Sequence, residues 1–239
     1  MRLDRFLSQA SGLSRSQARA AIRGRRVTLD GCPVREPAAQ VDESAEVRLD
    51  DVRLGLPHSL YLMLHKPRGL LSATRDAHQE TVLSLLPHAL ARRVHLVGRL
   101  DKDTSGLLLL SDDGAWSHRI GSPRHHCVKV YLAELDQPLV ADAEERLASG
   151  MHLRGEARVC APARLQRLDE RRVRISVTEG RYHLVRRLFA ALGNHVLRLH
   201  RERIGGLALD PALPPGHWRT LTPDECEAVF ESRADGEAR

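Results

Sequence analysis

Val97-Gly98-Arg99-Leu100-Asp101-Lys102-Asp103-Thr104-Ser105-Gly106-Leu107-Leu108-Leu109-Leu110-Ser111-Asp112-Asp113-Gly114 is the stretch on which the reading of this chain turns. Arg99, Asp101 and Asp103 interrupt an otherwise strand-like apolar run. Thr104, Ser105 and Gly106 are predicted to break the chain's direction, and Leu107 to Leu110 to form a strand buried on both faces. A carboxylate wedged between two apolar segments is costly unless it is paired. Asp101 therefore reads either as a structural ion-pair partner or as a positioned reactive group.

Outward from this run, apolar alternation predicts strands over 61–65, 94–97, 107–110, 129–134, 173–177 and 195–200, with helices over 81–86, 116–120, 141–148 and 183–192. Strand runs with interspersed helices argue an α+β fold with a mostly antiparallel sheet. The N-terminus differs. Residues 1–10 have Leu3, Phe6, Leu7 and Ala10 on one helical face, and Ser11-Gly12 ends that helix. Ser14-x-x-Gln17 is a capping box for a second helix with Ala18, Ala21 and Ile22 inward. Gly24 is expected at its C′ position. Arg15, Arg19 and Arg23 recur every fourth residue and share its outer face. Asp30-Gly31 reads as a tight turn between short strands. The expected domains are 1–52 and 60–230, with a linker over 53–59 and a frayed tail over 231–239.

The chain has 239 residues, 42% hydrophobic and only 3% aromatic, so its core is built from Leu, Val and Ala. Its formal charge of +6 favours a polyanionic partner. Seven arginines against Asp4 lie within residues 1–26, and nine against Glu179 and Glu202 within 171–203, which predicts two contacts with one long anion. Four cysteines, none in a Cys-x-x-Cys pair, fit reduced thiols in a cytoplasmic protein. No run reaches the roughly 18 apolar residues of a membrane span. His125-His126-Cys127 has metal-binding residue types, but adjacent residues point apart and no second pair has zinc spacing. Contact with phosphate or sugar beside Arg124 is the preferred reading.

Gly98-Arg99-Leu100-Asp101, with Thr-Ser-Gly-Leu and a closing Asp-Gly, resembles the catalytic segment of the RNA pseudouridine synthases that act on ribosomal RNA and carry an added S4 domain. Trp116 to Ile120, Ser122 to Cys127, Lys129 and Tyr131 resemble that family's next block. Glu179-Gly180-Arg181-Tyr182-His183, Val185-Arg186-Arg187, and the run from Leu199 to Gly206 resemble its third. The two-helix, small-sheet N-terminal unit looks like an S4 RNA-binding domain. The resemblance covers Met1 to about Phe230 and is greatest for the group acting on the small ribosomal subunit. Several dispersed blocks in order are far more specific than one short motif.

The resemblance implies a two-domain α+β protein that isomerises a uridine of 16S ribosomal RNA, at the position usually numbered 516, with no cofactor and no metal. It places Asp101 at the reactive carboxylate, Arg186 as its basic partner, and Tyr131 in the base pocket, although a core strand tyrosine is also compatible with that sequence. Val185 matches an apolar wall under the base. Arg99 matches an arginine that fills the gap left by a flipped nucleotide. Lys66 in Lys66-Pro67-Arg68-Gly69 and Arg181 are expected to contact RNA, as are Arg15, Arg19 and Arg23. Leu184 stands where the family usually has Gln, and Leu188 where it has Met. The implied partner is 16S ribosomal RNA or a small-subunit assembly intermediate, met by a cytoplasmic monomer with no membrane contact. Two other readings remain open. Asp101-Lys102-Asp103-Thr104 fits the Asp-x-Asp-x-Thr pattern of aspartyl-phosphate phosphatases. A non-catalytic, RNA-binding ribosome assembly factor is the second.

Overall fold

A computed structural model of the chain describes residues 1–42, 44–55, 59–122, 125 and 127–231. The chain divides into two compact units, Met1–His58 and Ser59–Arg239.

In the first unit, α1 (Leu3–Ser11) buries Leu3, Phe6 and Leu7 and ends at Gly12, whose φ of 75° a side chain would resist. α2 (Arg15–Arg23) opens on the expected capping box, with the Gln17 amide donating to Ser14 Oγ at 3.3 Å and the Ser14 amide to Gln17 Oε1 at 2.9 Å. Its end departs from expectation. Gly24 has ordinary negative φ, and the left-handed residue is Arg25, at φ 61°. The strands β1 (Val27–Leu29), β2 (Cys32–Pro33), β3 (Val47–Leu49) and β4 (Val52–Leu54) form a sheet ordered β2-β1-β3-β4. Two hairpins build it. Asp30-Gly31, both with positive φ, turn the first, and Asp50-Asp51, at φ 49° and 65°, turn the second. The second hairpin corrects the expected linker, because β4 runs into it and the division between units falls at residue 58. Residues 56–58 lie outside the described residues.

The core of this unit joins the helices to Val27, Val41 and Val47. One carboxylate sits inside it. Asp4 has no exposed surface and accepts from Arg2 Nε at 3.1 Å and from Arg19 Nε at 3.0 Å. Hydrogen bonding from Arg2, seconded by Arg19, overrides burial and holds Asp4 well below the usual carboxylate range.

The second unit comprises β5 (Tyr61–Lys66), a 3-10 turn (Val82–Leu85), α3 (His88–Ala91), β6 (His95–Val97), β7 (Thr104–Ser111), α4 (Gly114–Gly121), β8 (Lys129–Leu135), α5 (Ala143–Ala148), β9 (Arg164–Arg167), β10 (Arg172–Val177), α6 (Leu184–Ala191), β11 (Val196–Ile204), β12 (Leu207–Ala208), β13 (Trp218–Thr220) and α7 (Pro223–Ala228). Its sheet runs β13-β5-β7-β11-β8-β10-β9, with β6 on β7 and β12 on β11. Among the described residues every strand pairing of this sheet is antiparallel except β7 with β11. The mostly antiparallel expectation agrees with this.

β7 lies inside the sheet, between β5 and β11, and Leu107 to Leu110 have no exposed surface. Leu107 and Leu109 pack with Met63, Trp116 and Ile204 on one face, and Leu108 and Leu110 with Leu62, Leu64 and Val94 on the other. Thr104, Ser105 and Gly106, expected to turn the chain, are the first residues of this strand. They are its only residues paired with β11, through Leu199↔Thr104, His200↔Ser105 and Arg201↔Gly106. A Cβ on Gly106 would lie 2.3 Å from the Arg201 carbonyl oxygen, so glycine there permits the close pairing. A third apolar cluster, centred on Phe189 and Leu188 of α6, covers the β8–β10 half of the sheet. Of the expected tail over 231–239, Glu231 is described, its amide donating to the Ala228 carbonyl at 3.0 Å, and residues 232–239 lie outside the described residues.

Candidate active site

Asp101 stands just before β7, and the segment 66–72 clamps the loop that carries it. Ser72 Oγ donates to the Leu100 carbonyl at 2.7 Å and accepts from the Leu100 amide at 3.1 Å. The Gly69 amide donates to the Lys102 carbonyl at 2.7 Å. Lys66 completes the clamp. Its side chain has no exposed surface, and Nζ donates to the carbonyls of Thr104 and Pro67, each at 2.9 Å, and of Lys102 at 3.3 Å. Burial pushes its ammonium down to about 8, against the opposing pull of Asp103 and Asp101. Lys66 is therefore a brace beneath the loop, which corrects its expected contact with RNA.

The clamped loop forms one wall of a cavity of about 240 Å³ that includes Arg99, Asp101, Tyr131, His183, Val185 and Arg201 among its lining residues. These come from the β7 loop, β8, α6 and β11, which are distant in sequence and adjacent in the sheet. Arg99 is exposed, and among the described residues it has no ion-pair partner. Val185 is buried and joins the cavity to the α6 core. Leu184, where an amide was expected, is also buried in that core. Tyr131 is half-buried against two of the apolar clusters while lining the cavity.

The expected Arg186–Asp101 pair is not formed. Arg186 Nη2 lies 2.7 Å from Asp103 Oδ2, and Nη1 donates to the Val196 carbonyl at 2.9 Å. Of the two carboxylates that alternate along this loop, Asp103 takes the α6 arginine. The side chain beside Asp101 is His183, with Nε2 3.5 Å from Oδ1. His183 precedes α6 in the left-handed region, at φ 51°. Arg181 is committed elsewhere. It pairs with Glu179 and Glu156 and donates to the carbonyls of Arg158 and Val159, tying two loops together instead of presenting a free cation.

Arg201, like His183, is a site residue that sequence reasoning missed. It is 3% exposed, and Nε donates to the Leu107 carbonyl at 2.8 Å. Nη1 reaches Tyr131 Oη at 3.4 Å and the Arg99 carbonyl at 3.5 Å. It thus joins β7, the Arg99 backbone and Tyr131. Its sequence signal, one arginine among nine in 171–203, does not distinguish it; the Arg201↔Gly106 and Arg201↔Tyr131 registers do. A second recess of about 460 Å³, bordered by His65, His200, Arg174 and Glu202, lies where β11 presents its alternate side chains. There Arg174 is bonded to Glu202 and His65 to the Leu213 carbonyl, so it offers no comparable reactive set.

Of the residues weighed as a metal cluster, Cys127 is buried with Sγ 3.4 Å from the Val229 carbonyl, His125 is exposed, and His126 lies outside the described residues, as does the neighbouring Arg124. The phosphatase reading fails on topology. It needs a buried parallel strand leading into the first Asp, whereas here the buried strand follows Asp101 in a mostly antiparallel sheet.

Comparison with known proteins agrees with this architecture. The RNA pseudouridylate synthase family matches residues 60–191, and the S4 domain matches residues 1–47. The chain is 48% identical over 230 residues to the ribosomal small subunit pseudouridine synthase A of Escherichia coli, covering 96% of this chain and 100% of that protein. The protein of the same name from Haemophilus influenzae is 44% identical over 232 residues, covering 97% and 100%. A crystal structure of a pseudouridylate synthase superposes with a TM-score of 0.71 at 43% identity, covering 96% of this chain and 99% of that one. An S4 unit, a sheet domain with an aspartate loop clamped over a cavity, and full-length likeness to these relatives place this chain in the RNA pseudouridylate synthase family of isomerases.

Proposed function

We propose that this protein converts one uridine of 16S ribosomal RNA, at the position numbered 516 in the family, to pseudouridine, and that Asp101 is the reactive carboxylate. The reaction breaks the N-glycosidic bond, turns the uracil, and rejoins the sugar to C5. The proton on C5 leaves and N1 gains one, so atoms and charge balance without redox. It needs an anion near the anomeric carbon, whether that anion attacks the sugar or removes a sugar proton. It also needs a pocket for an extruded base.

The observation that carries this reading is the shared cavity of Asp101 with Tyr131, Val185 and Arg99. In it, Tyr131 and Val185 supply apolar surface for the flipped uracil. Arg99, exposed and among the described residues without an ion-pair partner, contacts phosphate or fills the vacated stack. Arg201 holds Tyr131 and the Arg99 backbone in register, and Lys66 fixes the loop that aims Asp101. Arg186 has a supporting role, through Asp103. Such a substrate implies action in the cytoplasm, on free RNA or an assembling subunit. The test is pseudouridine mapping of ribosomal RNA from cells with and without this protein. One 16S position should lose its pseudouridine when the protein is absent; an unchanged 16S map removes the proposal.

A further inference from the structure

Among the described residues every Phe, Tyr and Trp is buried or half-buried except Tyr182, which is 68% exposed. The chain has only three tyrosines. Tyr61 is used in packing, edge-on to Trp116 and bonded to Asp113, and Tyr131 lines the cavity. Leaving the third in water forgoes the burial that a large aromatic ring ordinarily gains.

Its setting is built. The Tyr182 ring stacks on the His183 ring, with centroids 3.8 Å apart and planes 17° apart. His183 lies 3.5 Å from Asp101. The backbone beneath is held on both sides: Arg187 Nη1 reaches the Tyr182 carbonyl at 3.4 Å, the Leu184 amide donates to the Arg181 carbonyl at 3.2 Å, and the Arg181 guanidinium is locked to Glu179 and the 156–159 segment. One face of Tyr182 is thus covered by His183, and the rest of the ring is open at the rim of the Asp101 cavity, which Arg99 also borders.

We infer that Tyr182, backed by His183, is a stacking platform for an unpaired nucleobase next to the target uridine. A fixed, exposed aromatic face on the same cavity as an exposed guanidinium is what single-stranded RNA recognises, the ring taking a base and the cation a phosphate. The target uracil itself goes to the deeper surface of Tyr131 and Val185, so the platform takes a neighbour. Opening the duplex to extrude one base also unstacks its neighbours, and a ring at the rim replaces that stacking. The inference rests on the pseudouridine synthase reading for the identity of the RNA.

The experiment measures binding by Tyr182→Leu, Tyr182→Phe and wild type. The probes are a 16S fragment carrying uridine 516 and the same fragment made abasic at the 5′ or the 3′ neighbour. Pseudouridine formation is measured in parallel. Tyr182→Leu should weaken binding to the intact fragment by roughly five- to a hundredfold. Tyr182→Phe, which keeps the ring, should bind within about twofold of wild type. At one of the two flanks, the abasic fragment should cost wild type about the same factor and cost Tyr182→Leu nothing further. A Tyr182→Leu protein that binds within about twofold of wild type overturns the platform, as do losses that multiply independently at both flanks. Because Tyr182 is exposed, the melting temperature should not move. Wild-type protein that shows the coupling but forms no pseudouridine would instead remove the functional reading and leave the platform standing.

Discussion

Lys66 shows how far a side chain's role can lie from the one its sequence suggests. In a basic protein, a lysine beside Pro67-Arg68-Gly69 reads as a phosphate ligand; in the fold it is buried under the Asp101 loop and bonded to three carbonyls. Burial lowers its pKa in the folded protein to about 8, from an ordinary value of 10.5. The unfolded chain therefore binds more protons between these values, and this residue's contribution to stability rises with pH across that window by about 1.4 kcal/mol per unit at most. Below pH 8 the cost of the buried charge is present in full. Urea unfolding of wild type and Lys66→Met from about pH 7.5 to 10 should show a steeper rise for wild type, and equal slopes would contradict this account of Lys66. Arg99 is legible in the sequence, and the structure leaves it exposed at the cavity. If it holds the flipped state, Arg99→Ala slows modification more than it weakens binding, and Arg99→Lys rescues incompletely for want of a planar surface. Equal proportional losses in rate and affinity would make it an ordinary phosphate contact.

At the scale of elements, periodicity exposes the strands that are buried on one or both faces and hides those defined by pairing. The four leucines of β7 announce themselves, but its first three residues do not, because Thr104-Ser105-Gly106 carries turn composition and becomes strand only through the parallel partner β11. The Asp50-Asp51 hairpin escapes notice because two aspartates at positive φ lack the usual glycine. α7 carries a legible signal that the sequence reading passed over: Thr222-Pro223-Asp224-Glu225 is a capping box with Pro in the first turn. The Arg186 pairing is not legible, since Asp101 and Asp103 both lie within one loop and only the α6 geometry chooses between them. Gly106 tests this level. Gly106→Ala places a methyl on the Arg201 backbone, and should cost about 1–3 kcal/mol in unfolding free energy while displacing Arg201 from Tyr131. A variant as stable and as active as wild type would show that the β7–β11 approach is not needed.

For the whole molecule, net charge predicts a polyanion, but the two basic segments are not equivalent. In 171–203 most arginines are matched locally: Arg172 with Asp169, Arg174 with Glu202, Arg181 and Arg187 with Glu156, Arg186 with Asp103, Arg198 with Glu134. In the first unit Arg19 is drawn to Asp4, whereas Arg15 and Arg23 are exposed and, among the described residues, unpartnered. Salt-dependent affinity should therefore come chiefly from the first unit. Replacing Arg15 and Arg23 by Ala should flatten the log-affinity against log-salt slope by about 0.9 for each duplex phosphate that is no longer neutralised, and an unchanged slope would mean that face is merely solvated. The central claim, that these units deliver RNA to a reactive Asp101, is tested most directly by carbodiimide mapping of pseudouridine on 16S RNA treated with Asp101→Asn, beside its binding and melting curves. The substitution preserves shape and removes charge, so the variant should fold, bind RNA and form no detectable pseudouridine. A folded, RNA-binding Asp101→Asn protein that modifies RNA near the wild-type rate would contradict it.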